Sequence, residues 1–118
     1  MPARRANPTK VFRYQLLMPG ATAPTEHQIE WPNRPGAARL NALIEPIVGG
    51  YLEHVSVLWE DKPMDMFVAE EGGMKRLPYN ELATKVYQNF MVTKHGAKPE
   101  DLHVCVGPAV LFFDRVWF

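Results

Sequence analysis

Apolar and polar positions along this chain fall into blocks with two different periods. Val11 to Met18 is an apolar and aromatic run closed by Pro19-Gly20, and it predicts a first strand. Phe12, Tyr14, Leu16 and Met18 share one side of that strand and form its expected core face. Residues 19–25 read as a loop, and Glu26 to Trp31 as a short strand ended by Pro32, paired with the first strand or set at an edge. The period then changes. Leu40, Leu43, Ile44 and Ile47 recur at helical spacing, which predicts a helix over about 36–47 with Pro46 in its last turn and Gly49-Gly50 as its stop.

Tyr51 to Trp59 is the clearest strand pattern, and Met64 to Ala69 reads as its hairpin return after a turn at 60–63. A second turn at Glu70-Glu71-Gly72-Gly73 and a short extended piece, Met74 to Leu77, follow. Asn80 is placed to cap a helix over about 80–95, with Ala83, Val86, Tyr87, Phe90 and Met91 as its apolar stripe and Gly96 beyond its end. Leu102 to Phe113 is β-rich, with a bend at Gly107-Pro108. The sum is an α+β fold: a mostly antiparallel sheet of five to six strands with two main helices. Residues 1–10 read as a flexible basic arm and 11–118 as a single domain.

Composition supports that picture. The chain has 118 residues, 47% of them hydrophobic and 22% charged, which suits one self-sufficient core. Its single cysteine, Cys105, rules out an internal disulfide and suits a reducing, cytoplasmic setting. No secretory leader or membrane-length apolar run is expected. The formal net charge is zero, which argues against a nucleic-acid binder. Local charge is uneven. Arg4, Arg5, Lys10 and Arg13 open the chain without an acid among them, whereas Glu53, Glu60, Asp61, Asp65, Glu70 and Glu71 crowd the middle with only Lys62 between them. These acids read as solvated turns and strand ends, or as a patch that meets a basic one on a partner.

Chemistry-bearing motifs are sparse. No phosphate loop, dinucleotide fingerprint, nucleophile elbow or zincin spacing occurs, so no cofactor or metal is called for and no catalytic residue is assigned. His103 and Cys105 are two apart and would share a strand face, the one pairing that suggests a thiolate–imidazolium couple or part of a metal site. Without further ligands, Cys105 reads as a small core residue. His54 reads as a surface or edge residue, and its neighbour Glu53 points the other way. Arg76, Tyr79 and Asn80 gather a cation, an aromatic ring and an amide at a helix start, a candidate site for a small anionic ligand such as a nucleotide. Trp117 and Phe118 end the chain with two aromatics, expected to pack on the core or on a second subunit.

Four pieces in order, Val48 to Glu53, Met66-Phe67-Val68 with Glu70-Glu71-Gly72, Leu77 to Asn80 with Ala83-Thr84, and Val106 to Val110, give the chain a further character. Together they resemble a family of small proteins of unknown function from bacteria, phages and plasmids. The resemblance spans roughly residues 36–113 and implies a mobile-element or accessory setting, without an activity to carry over. Three readings follow: a non-catalytic interaction protein with a protein partner or a homodimer, a module for a small anionic ligand, and an enzyme using His103 and Cys105.

Overall fold

The computed structural model describes residues 8–59 and 61–117. Five strands, β1 (Thr9–Leu17), β2 (Thr25–Pro32), β3 (Leu52–Trp59), β4 (Lys62–Ala69) and β5 (Ala109–Phe112), and two helices, α1 (Gly36–Val48) and α2 (Glu81–His95), build an α+β fold. The strands form one sheet in the order β2-β1-β5-β4-β3, and every neighbouring pair is antiparallel. The two long hairpins are therefore joined through the short central strand β5.

Each face of the sheet carries one helix. On one face Leu40, Ile44 and Val48 of α1 pack on Phe12, Tyr14, Phe67, Val110 and Phe112. On the other, Ala83, Val86, Tyr87 and Phe90 of α2 pack against Leu17, Val57, Met64, Met66, Ala109 and Leu111. This corrects the one-sided reading of β1. Leu17 is buried beneath α2, while Met18, expected in the core, lies past the strand end and is exposed. A strand covered on both faces loses the alternation that marks a half-exposed one.

Local signals placed both helices well. α1 ends where Gly49 takes φ 81°, and Pro46 lies inside it on the exposed side. α2 starts at Asn80, whose side chain accepts from Ala83 N, and stops at Gly96 with φ 63°. Lys85 and Glu81 approach to 3.1 Å on its outer face.

Two extended predictions fail. Residues 70–76 form consecutive turns, closed by Lys75 N–H to Glu71 O and Leu77 N–H to Gly72 O, so Met74 to Leu77 is not a strand piece. The β-rich stretch at 102–113 yields only β5. Pro99–Asp101 forms a single 3₁₀ turn, and 103–108 is irregular apart from one bridge between Val106 and Tyr79. Gly107 explains the break: its φ is 74°, and a Cβ there would meet Leu77 Cδ1 at 2.6 Å. Of the residues singled out by sequence, Arg4, Arg5, Glu60 and Phe118 lie outside the described residues.

Candidate functional site

An open groove lies on the α2 side of the sheet, beside the start of β3. Glu53 and Val68 are directly paired across β3 and β4, so their side chains stand together there with Val55. Tyr87 of α2 forms another wall, and the segment His103 to Val106 a third. The turn from Ala69 through Glu70 to Gly73 closes the end. The result is an open groove of about 450 Å³, within the size range of small-molecule sites.

The irregular wall is held by side chains of α2. Cys105 N–H donates to Thr84 Oγ1 at 2.8 Å, and Gln88 Nε2 donates to His103 O at 3.5 Å. Asn80 N–H donates to Cys105 O at 2.9 Å, and Gly107 N–H to Pro78 O at 2.7 Å. These bonds satisfy backbone groups that a continuing strand would otherwise pair. Gly72, beside lining residue Gly73, approaches this segment closely, since a Cβ there would stand 3.1 Å from Val106 Cγ2.

One exposed apolar side chain lines the groove, and two more belong to residues joined to its lining by sequence or by a backbone bond. Val104 belongs to its lining and is 53% exposed. Met74 follows lining residue Gly73 and is 84% exposed. Tyr51 is 72% exposed, and its carbonyl accepts from the N–H of lining residue Glu70 at 2.9 Å. Glu53 and Glu70 add negative charge to the lining, with His103 as its basic-type side chain.

His103 and Cys105 thus line one groove, although no strand presents them as a shared face. Their chemistry is subdued. Burial pushes the Cys105 thiol up to about 11, against a Thr84 hydrogen bond that lowers it, and the negative charge of Glu53 raises it further. A thiol so placed stays protonated at neutral pH, the opposite of an activated nucleophile. Among the described residues no three His, Cys, Asp or Glu side chains could hold a metal ion together. The expected outcome at pH 7.5 is slow alkylation of Cys105 by iodoacetamide in the folded chain and fast alkylation in denaturant. Linkage gives the sign of its pH effect. The folded thiol holds its proton more tightly than the unfolded one, so its stabilising contribution is present below pH 9 and is lost as pH rises towards about 11.

The residues proposed for an anionic ligand are not gathered into one cradle. Arg76 is exposed at the end of the turns, with φ 53°. Tyr79 is half-exposed and lines a separate groove of about 360 Å³ with Gly20 to Thr22, Glu81, Leu82 and Lys85. Asn80 is fully buried, and its amide is committed: Nδ2 donates to Leu17 O at 2.7 Å and to Gly107 O at 2.8 Å, while Oδ1 accepts from Ala83 N. No amide hydrogen of Asn80 is left for a ligand.

Sequence reading missed a part-buried pair on the α1 face, His54 with the buried Asp65. His54 does lie on an edge strand, as its pattern suggests, but Asp65, which reads as a solvated acid, is buried and takes His54 Nε2 at 2.6 Å on Oδ1. Its Oδ2 accepts from the backbone N–H groups of Val116 and Trp117 at 2.7 and 2.9 Å. The Trp117 ring then stacks on His54, with centroids 5.2 Å apart and planes within 12°, and meets Phe67 edgewise. Trp117 is accordingly packed on its own chain. The available signal was a lone acid inside the apolar run Met64 to Ala69, where water cannot solvate it.

The class this defines is an α+β domain with one helix per sheet face and an open groove at the β3–β4 corner. No protein-family model matches the chain, and neither a curated protein nor a solved structure matches it significantly. No helix is long and apolar enough to cross a membrane among the described residues.

Proposed function

We propose that this chain is a non-catalytic interaction protein whose working surface is the groove bounded by Glu53, Val55, Val68, Tyr87 and the segment 103–106. The observation that carries the reading is an open groove walled by Val55, Val68, Tyr87 and Val106, with Val104 in its lining 53% exposed. Large apolar side chains gathered at a concave surface mark contact with another macromolecule more often than isolated ones do. The protonated thiol supports the absence of nucleophilic chemistry there.

The test is comparative capture from the native host, using the intact chain and two variants, Val104→Asp and Met74→Asp. Both side chains are exposed, so neither change disturbs the core. The expected outcome is a specific protein held by the wild-type chain and reduced at least tenfold by either substitution, with unchanged circular dichroism. A partner retained equally by all three chains would place the working surface elsewhere.

The small-anion reading keeps one supporting feature, the groove beside Tyr79 with Lys85 on its wall. Lys85 is paired with Glu81, which reduces the positive charge that groove offers an anion.

A further inference from the structure

The two edges of the sheet are unlike. β2 carries Glu26 and Glu30 and ends in Pro32, features that discourage a further strand from pairing. β3 is eight residues long, has no lysine or proline, and runs in one-to-one register with β4 from Leu52↔Ala69 to Trp59↔Lys62, so no bulge interrupts it. Its outer side has no neighbouring strand among the described residues.

The direction of its backbone groups follows from one bond. Tyr51 O accepts from Glu70 N–H across the hairpin, so the odd-numbered residues of β3 address β4. The N–H and C=O groups of Leu52, His54, Ser56 and Leu58 therefore point outward, away from the sheet. Such a row is a template for an extended chain.

We propose that the occupant is a second copy of this chain, paired β3 to β3 about a two-fold axis perpendicular to the sheet. Such an axis makes the pair antiparallel and leaves each face on its own side, so even residues pair with even and odd with odd. One register uses every outward group: Leu52 faces Leu58 of the second copy, His54 faces Ser56, and Val55 lies on the axis. This register also sets no like charges directly opposite each other. Glu53 falls opposite the second copy's Val57, so the two Glu53 carboxylates are not paired, and no lysine is buried. The product is a continuous ten-stranded sheet built from two copies of the five-stranded one.

Val55 and Glu53 stand on the α2 side and line the groove. The two grooves consequently meet at the axis as one trough. That joint trough rests on the groove reading above, whereas the strand pairing does not depend on it.

Two substitutions in the full chain test the pairing. Val55→Cys sets two thiols opposite each other at a non-hydrogen-bonded antiparallel pair, where Cα atoms are about 4.5 Å apart and a disulfide can close. Ser56→Pro removes an outward N–H and leaves the bonds to β4 intact, a change an edge strand tolerates. The wild-type chain is expected to show twice the monomer mass by light scattering. Val55→Cys should form a disulfide-linked dimer under mild oxidation where Val11→Cys, an exposed control on β1, does not. Ser56→Pro should halve the mass with an unchanged circular dichroism spectrum. A wild-type chain that stays monomeric throughout a dilution series overturns the proposal. So does a dimer that Ser56→Pro leaves intact and Val55→Cys fails to cross-link, since it must use another surface. Partner capture by the groove is read separately, with Val104→Asp, so either proposal can fail alone.

Discussion

Asn80→Ala is expected to destabilise the fold by about 3 kcal/mol, the larger part of it from two abandoned carbonyls rather than from the helix cap. Loss of an N-cap side chain costs about 1 kcal/mol. Leu17 O and Gly107 O would each lose a short bond to a fully buried side chain, at about 1 kcal/mol apiece. For a domain of this size the midpoint of thermal unfolding should fall by roughly 10 °C. Asn80→Asp separates the two contributions. It keeps the cap acceptor but removes both donors and turns a carboxylate towards two carbonyl oxygens, so it should be at least as damaging as alanine. An Asn80→Asp chain with near-normal stability would show that the amide donors contribute little.

Asp65→Ala is expected to cost a further amount of the same size, about 3 kcal/mol, and to free the end of the chain. Its two oxygens accept from His54 and from the backbone of Val116 and Trp117, so truncation strands three donors in one place. Asp65→Asn should be milder, because its remaining carbonyl oxygen still serves the two N–H groups. Limited proteolysis provides the second readout. Cleavage near Arg115 should be faster in Asp65→Ala than in wild type, and faster than in His54→Ala, which loses the stacking partner of Trp117 but keeps the backbone bonds. Equal cleavage rates in all three would mean that Asp65 does not secure this segment.

These two residues also show where the sequence was readable. Asn80 stood before a helical stripe and was expected to cap it, which it does. Its second task was illegible, because Leu17 lies 63 residues away and Gly107 27 residues away. The helices, the β1–β2 and β3–β4 hairpins and the antiparallel sheet followed from local periodicity and turn residues. The failures share a physical cause in tertiary context. Leu17 is buried because α2 covers the second face of β1. His103 to Val106 is irregular because Thr84 and Asn80 bind its backbone from the helix. Asp65 is buried because the end of the chain supplies donors to it.

The groove was half visible. His103 and Cys105 drew attention as a pair, and both line it. The sequence suggested reactivity, whereas burial and the nearby Glu53 hold the thiol protonated. Glu53, Val68 and Tyr87 could not be joined to that pair without the register of β3 on β4 and the path of α2. The exposure of Met74 was hidden by the expectation of an extended segment where the chain forms turns.

Hydrogen exchange of the chain with and without its captured partner tests the central claim most directly. The groove reading predicts that the partner slows exchange in residues 52–55, 68–75 and 103–106 and leaves β1, β2 and α1 unchanged. Protection centred on Gly20 to Thr22 and Tyr79, or on α1, with no change at 103–106, would contradict it.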